Sequence, residues 1–407
     1  MSLNLKKELK SIKDEFVVEF KKELKEIFYN AVGKEMPKET ELDYYINATD
    51  TEKILKSVFL VKKIYVEIGG TKLFPTIVEN REGKRVDKLV ILIPKGLSYK
   101  EFYTTQHAFE TALDGEIKIE HKGKRVYMSI YKKQLEIRIP FSQEIIDELK
   151  EKQLSFPIGY TREGKLIVFD LTNPVTAHLL IGGYTGTGKS SFIRQIIYAL
   201  SKVYNSKYLN IYFADLKDGG KEAKVASGLD HVKDIAITKQ QTKLMITDIC
   251  DMIEDRGNKL AGLKIDTLHE AKRKGFLLNI PFVVFVIDEF HRLKNDSDSM
   301  EGIELLLATA RSIGIHLILG TQRPDAQIVP GIIKANLSSV MCFRTKDGVN
   351  SRIILDNENA SNLPSIPGRG IFATDKEVIV QVPFIDNNVF PRSVDKQKNI
   401  EDFGDDI

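Results

Sequence analysis

The sequence of 407 residues has no tryptophan and only two cysteines, Cys250 and Cys342. Two such thiols exclude a disulfide framework, suit a reducing compartment and are read as small core residues; a cytoplasmic location is expected. Long apolar runs are also missing. The most apolar stretch, PFVVFVID at 281–288, is far short of the roughly 18–20 residues that cross a bilayer, and no signal-type apolar region stands at the start. The chain is therefore expected to be soluble, without a transmembrane segment of its own, with a membrane-associated partner complex left open. An excess of one charge is lacking too, because 60 Lys and Arg against 57 Asp and Glu leave +3. No global field announces a nucleic-acid partner, and a basic surface, if present, must be local. No internal repeat or low-complexity segment stands out. The remainder, 42% hydrophobic and 29% charged, is ordinary for a globular protein of two or three domains.

Organisation follows from apolar spacing. Within an N-terminal helical segment (1–50), Leu5, Leu9, Ile12, Phe16, Phe20, Leu24 and Ile27 recur every three or four residues. That spacing predicts an amphipathic helix over 1–30 that docks on its own domain or self-associates, with membrane-surface binding last because its charge is balanced rather than basic. Residues 51–150 predict a small α+β domain. VFLVKKIYVEIGGTKLFPTIVEN alternates around Gly69-Gly70 as a hairpin, DKLVILIPKG reads as a buried strand ending at Pro94, and SYKE (98–101) opens a capped helix carrying Phe102, Phe109 and Leu113. A second hairpin sets Ile117 and Ile119 against Val126, Met128 and Ile130 around Lys122-Gly123. Lys95, Lys122, Lys124 and Arg125 could touch an anionic partner, with solvated turn residues as the simpler reading. The segment 151–386 begins with a hairpin, SFPIGYTREGKLIVFDL. Short buried strands then alternate with helices, the pattern of a parallel sheet flanked by helices in an α/β fold. Residues 387–407 read as a polar, poorly ordered tail.

GGYTGTGKSS (182–191) carries the chemistry. It fits the P-loop spacing G-x-x-x-x-G-K-[ST] between a strand and a helix. In Gly183, Tyr184, Thr185, Gly186, Thr187 and Gly188 the glycines let backbone N–H groups converge on phosphate oxygens, helped by the positive end of the helix. Lys189 should neutralise the β- and γ-phosphates, Ser190 should ligate Mg²⁺ and Ser191 extends the motif, so ATP and Mg²⁺ are the expected cofactors. FVVFVIDEF ends in Asp288, expected in the metal shell, and Glu289, expected to orient or deprotonate the attacking water. The next buried strand, HLILGTQRP, ends at Gln322, a candidate γ-phosphate sensor. Asp215 and Lys217 end another strand nearby, and whether Asp215 serves chemistry or structure stays open.

HLLIGGYTGTGKSSFIRQII, FVVFVIDEF, ARSIGIHLILGTQRPDAQIVPGIIKANLSSVMCFRTKDGVNSRIILD and PGRGIF together resemble the motor of the FtsK/SpoIIIE family of DNA translocases over roughly 155–386. Residues 87–133 more distantly resemble the small β-rich domain that precedes this motor. The resemblance implies a RecA-like P-loop NTPase fold, ATP hydrolysis coupled to movement of double-stranded DNA, and assembly into a ring, usually a hexamer. It implies that Arg311, in TARSIGIH, is an arginine finger completing the neighbour's site, and that Lys334, in GIIKAN, faces DNA, with Arg323 and Arg344 as further DNA candidates. The absence of a winged-helix segment after the motor and of an anchor before it, with PSIPGRGIF in place of a shorter LGRG turn, leans toward the conjugative-plasmid or mobile-element branch. Two alternatives compete: a secretion ATPase of the same superfamily that moves protein, and a nucleotide-gated assembly factor. A single motor segment argues against the first, and Asp288, Glu289 and Arg311 argue against the second.

Overall fold

The computed structural model describes residues 49–391 apart from 174–175, 218, 323–330 and 338. The expected N-terminal helix, Arg323 and the tail beyond Pro391 lie outside the described residues. The chain divides into two compact units, one up to Lys132 and one from Lys133.

The first unit opens with α1 (Asp50–Val61), fixed by a capping box in which Thr49 and Glu52 exchange side-chain-to-backbone hydrogen bonds. The VFLV stretch, expected in an alternating strand, is the end of this helix. Leu55, Val58 and Phe59 form its buried stripe, and an apolar run this short fits either period. β1 (Val66–Ile68) and β2 (Thr71–Leu73) form the Gly69-Gly70 hairpin. β3 (Thr76–Arg81), β4 (Val86–Leu92), β5 (Glu116–Lys122) and β6 (Arg125–Tyr131) pair antiparallel in the order β3-β4-β6-β5. The single helix expected after SYKE is two, α2 (Lys100–Thr104) and α3 (Gln106–Leu113), broken at Thr105. Ser98 Oγ accepts from Lys100 N–H at 3.2 Å, and Tyr99 at the helix start makes no side-chain cap bond. Phe59, Phe102 and Phe109 meet as a ring cluster against the sheet, with centroids 5.7–5.9 Å apart.

The second unit is a ten-stranded sheet. Its strands are β7 (Ser155–Tyr160), β8 (Leu166–Asp170), β9 (Leu179–Gly182), β10 (Leu209–Asp215), β11 (Val232–Ala236), β12 (Phe282–Asp288), β13 (Ile315–Thr321), β14 (Ser339–Phe343), β15 (Arg369–Ala373) and β16 (Glu377–Gln381). The order is β11-β10-β12-β13-β9-β14-β15-β16-β7-β8. The first six are parallel, as expected; from β14 onward the pairing is antiparallel, and the 155–171 hairpin forms the far edge. The helices are α4 (Gln143–Lys150), α5 (Lys189–Val203), α6 (Lys221–Ala226), α7 (Lys239–Leu263), α8 (Leu268–Arg273), α9 (Ser297–Thr309), α10 (Gly331–Asn336) and α11 (Gly348–Leu355).

Every residue of β12 is buried. Phe282, Val284 and Val286 enter one apolar cluster with α5, while Val283, Phe285 and Ile287 enter a second with α7 and α9. That is strand periodicity filling two cores, each such side chain being worth about 1.5–3 kcal/mol of burial. Register sets Asp215 beside Asp288, Asp288 beside Gly320, and Thr321 beside Gly182. Four parallel strands therefore deliver their carboxyl ends to one line. The start of the expected tail is packed: Asn387–Val389 make a short turn and Phe390 is buried 5.6 Å from the Tyr198 ring.

Two histidines are buried at the amino ends of the central strands. His178 Nδ1 accepts from Leu317 N–H at 3.0 Å, and His316 Nδ1 donates to the Ala177 carbonyl at 3.1 Å. Burial, with His316 and Arg311 nearby, holds His178 down at about 3, and burial holds His316 at about 4, both from an ordinary 6.5. Below pH 6.5 the unfolded chain binds protons that the folded chain refuses, so stability should fall as the pH drops from 6.5 toward 4. Urea denaturation across that window should show the midpoint falling, and His316→Gln should flatten the fall; an unchanged dependence would place the acid sensitivity elsewhere.

Candidate nucleotide site

The loop after β9 is wedged between neighbours. Gly183 has φ 153°, and a Cβ there would stand 2.7 Å from Phe343 Cβ; Gly188 has φ 115°, and its Cβ would stand 2.7 Å from Gly368 N. Side chains are excluded at both points by space as well as by backbone conformation. Tyr184 N–H donates to the Arg344 carbonyl at 3.0 Å, Thr187 Oγ1 to the Tyr184 carbonyl at 2.6 Å, and Gly368 N–H to the Thr187 carbonyl at 2.8 Å. α5 starts at Lys189 and aims the positive end of fifteen residues at the loop. Gly186, Gly188, Lys189, Ser190 and Ser191 line a cleft of about 630 Å³, whose far wall includes Pro383 and Phe384. Its size suits a nucleotide.

Lys189, which lines the cleft, is 3% exposed, and Asp288 and Glu289, which it contacts, are 0% and 2% exposed. The Lys189 ammonium donates to Asp288 Oδ1 and, at 2.8 Å, to Glu289 Oε1. Burial pushes Lys189 down, but the two carboxylates outweigh it and raise its pKa. Burial raises Asp288 despite the lysine. Burial also pushes Glu289 up, yet hydrogen bonds from His291 and Gln322 and the charge of Lys189 bring it down to about 2. Glu289 sits in the left-handed region at φ 60°, ψ 41°, a conformation costly for a non-glycine residue and common at functional sites. Its Oε2 accepts from Gln322 N–H and from His291 Nδ1, both at 3.0 Å. Gly320 leaves the space beside it: a Cβ would lie 2.5 Å from Asp288 Oδ1.

Asp288 Oδ2 is buried with no hydrogen-bond partner among the described residues. A buried carboxylate oxygen left over on Asp288, whose Oδ1 pairs with Lys189, and the hydroxyl of the following P-loop residue, Ser190, are oxygen donors of the kind that fit Mg²⁺. Asp215 is differently engaged: Oδ1 accepts from Lys217 N–H at 3.0 Å, and Oδ2 from Glu222 and Ala223 N–H at 2.9 and 3.3 Å. It holds the start of α6, which is a structural duty.

Gln322 stands where expected, lining the cleft, with Oε1 accepting from Thr185 Oγ1 at 2.9 Å. Arg311 lies in the turn before β13, at the amino ends of the parallel strands. A strand rising about 3.3 Å per residue puts that turn roughly 20 Å from the Gly320 end, beyond the reach of its own cleft. Lys334 donates to Asp356 Oδ1 at 2.5 Å and to the Ile353 carbonyl at 3.2 Å, closing the end of α11. Arg344 is half-buried and lines a second hollow of about 360 Å³ against the P-loop, with Lys346 and Ser365. Three contributors escaped the sequence. His291 had a signal, its position two residues after Glu289. Arg194, ion-paired with Glu222, and Arg138, 4.2 Å over the Phe384 ring, come to the cleft through the fold alone.

A P-loop, an acidic pair ending the neighbouring central strand and a polar residue ending the next define a P-loop NTPase motor domain. Residues 147–326 match the sequence profile of the FtsK/SpoIIIE family. Similar curated proteins include the DNA translocase FtsK of Borreliella burgdorferi, 34% identical over 54% of this chain and 29% of that one. Another is the DNA translocase FtsK of Lactiplantibacillus plantarum, 32% identical over 52% and 28%. The chain thus spans less than a third of these relatives. Among solved structures, the pCW3 conjugation coupling protein TcpA, a monomer form with ATPgS, aligns at TM-score 0.58 and 22% identity over 86% of this chain and all of that one. The cytoplasmic domain of the Thermomonospora curvata Type VII secretion ATPase EccC aligns at 0.52 and 26% over 60% and 31%. These likenesses agree with the mixed α/β fold.

Removing Lys189 strands two buried carboxylates. Lys189→Ala should cost about 3–5 kcal/mol in urea denaturation at neutral pH, and Asp288→Asn in the same chain should recover part of it. Equal stability of Lys189→Ala and the parent would show that the three charges are not coupled.

Proposed function

We propose that this chain is an ATP-driven translocase of double-stranded DNA, acting as a ring, in the hexameric form usual for the family, in cytoplasmic conjugation, segregation or mobile-element transfer. The observation that carries the reading is the buried Asp288–Glu289 pair under the P-loop, with Glu289 fixed for work on water rather than left as surface charge. The exposed position of Arg311, about 20 Å from its own P-loop, is compatible with the ring that the resemblance implies.

The chain's groups divide the work. The loop's backbone N–H groups other than those of Tyr184 and Thr187, which donate to the Arg344 and Tyr184 carbonyls, and the Lys189 ammonium bind phosphate oxygens. Asp288 Oδ2 and the Ser190 hydroxyl would hold Mg²⁺, which when bound supplies charge neutralisation between the phosphates. When Lys189 turns from Glu289 Oε1 to phosphate, the carboxylate loses one of the contacts that hold it near 2, and it becomes a better base. Oε1 is then the free atom that accepts a proton from water, while Oε2 stays anchored by Gln322 N–H and His291. Gln322 touches Glu289 through its backbone and Thr185 through its side chain, so it registers changes on both sides of the cleft. Arg311 of the neighbouring copy stabilises charge on the transferring phosphoryl group. Lys334, Arg344 and Arg323 remain the motor's candidates for phosphate-backbone contact. The secretion-type reading, with protein as the load, is favoured by the likeness to EccC.

ATPase rate with and without linear duplex DNA, at two salt concentrations, separates the two loads. Stimulation that fades with salt is expected, whereas indifference to DNA overturns the DNA reading and favours protein. Glu289→Gln should bind ATP and lose about 10²–10⁴-fold in turnover. Arg311→Ala should keep binding and lose about 10³-fold or more. Mixing the two inactive variants should restore activity, since each supplies what the other's interface lacks; a mixture that stays inactive argues against the shared site.

A further inference from the structure

Lys95, Lys122, Lys124 and Arg125 are gathered at one end of the first unit's sheet. Lys122 and Arg125 are direct cross-strand partners on β5 and β6, and Arg125 stands opposite Leu92 on β4. The Lys124 carbonyl accepts from Ile93 N–H at 3.0 Å, and Lys95 follows two residues later, after Pro94. All four are exposed. Among the described residues, no carboxylate forms an ion pair with any of them. Like charges directly opposite on neighbouring strands are destabilising, so this tip is built at a cost that an anionic partner would relieve. The surrounding unit has the same bias: from 49 to 132 sixteen Lys and Arg face eleven Asp and Glu, a net +5, whereas the whole chain carries only +3.

The chemistry of the partner follows from what the tip lacks. The rings at this end are already occupied: Tyr99 stacks on His121 with centroids 3.6 Å apart, and Tyr103 Oη lies 3.2 Å from His121 Nδ1. They offer no open pair of faces to unpaired bases. Tyr127, on the face that Lys122 and Arg125 share, lies in a cross-strand row with Glu120, Val90 and Glu79, the two acids ion-paired with Lys118 and Arg81, so it is a single ring with no second ring beside it to stack successive bases. What remains is purely ionic attraction, which favours the polyanion of highest linear charge density, duplex DNA at one charge per about 1.7 Å.

We propose that the β5–β6 hairpin tip, with Lys95, is a contact site for the phosphate backbone of duplex DNA, separate from the motor's own candidates. The inference rests on DNA being the load. It reads no sequence and needs no nucleotide. The test is fluorescence anisotropy of the full chain with a labelled random-sequence duplex, and with one of its single strands, over a series of salt concentrations. Lys122→Ala, Lys124→Ala and Arg125→Ala combined should weaken duplex binding about tenfold or more and reduce the slope of log affinity against log salt by about 3. DNA-free ATPase activity should stay unchanged. Lys165→Ala, Lys207→Ala and Lys239→Ala combined, which remove three exposed lysines of the second unit, should leave affinity and slope near the parent's. A parental slope in the tip variant, or a loss confined to the single strand, overturns this site while leaving the motor reading intact. A parent chain that binds no duplex at any salt overturns both.

Discussion

Three charged side chains meet out of reach of water at the carboxyl ends of the central strands, and the order of the surrounding loop depends on their balance. Lys189 is buried facing Asp288 and Glu289, and its charge, together with the hydrogen bonds from His291 and Gln322 to Glu289, offsets the cost of burying these carboxyl groups. The triad ties the first residue of α5 to the last residue of β12, so the P-loop cannot shift without separating charges in a low-dielectric pocket. An anionic ligand that took the lysine's hydrogen bonds would release the two carboxyl groups from it. The same contacts that stabilise the domain thus set the terms on which it accepts a nucleotide.

Around the triad, backbone conformation does what side-chain identity alone would not. Glu289 takes the left-handed conformation immediately after a strand with seven buried residues. The turn folds its carboxylate back over the strand end toward Gln322 and His291. Gly320 and the glycines at 183 and 188 are empty by necessity, each clearing room for a neighbour's atoms. The placement of these side chains is a consequence of tight packing between strand ends.

Much of this was legible because it is local. The P-loop spacing, the acidic pair after an apolar run and the Lys122-Gly123 hairpin each occupy one short window with a single reasonable period. The end of α1 was misread because Val58, Phe59, Leu60 and Val61 fit a strand as well as a helix, and the capping box that decides the matter lies nine residues upstream. The break at Thr105 carries no glycine or proline to announce it. The antiparallel half of the large sheet was invisible for another reason: β14, β15 and β16 have apolar runs like any others, and strand direction is settled by partners far away in sequence. Asp215 shows the limit for single residues. An acid at a strand end looks the same whether it will hold a metal or the amino end of α6.

β13 has a property that follows from its burial. All seven of its residues are buried, and both its neighbours are parallel strands in register with it. It contains no bulge and no exposed bond at which to bend. Gln322 extends from one end and the turn bearing Arg311 precedes the other. In mechanical terms the strand is a push-rod: a displacement imposed where the nucleotide sits must emerge at the far side of the domain with little loss. The end that carries Gln322 and the turn that carries Arg311 are thus two ends of one stiff element.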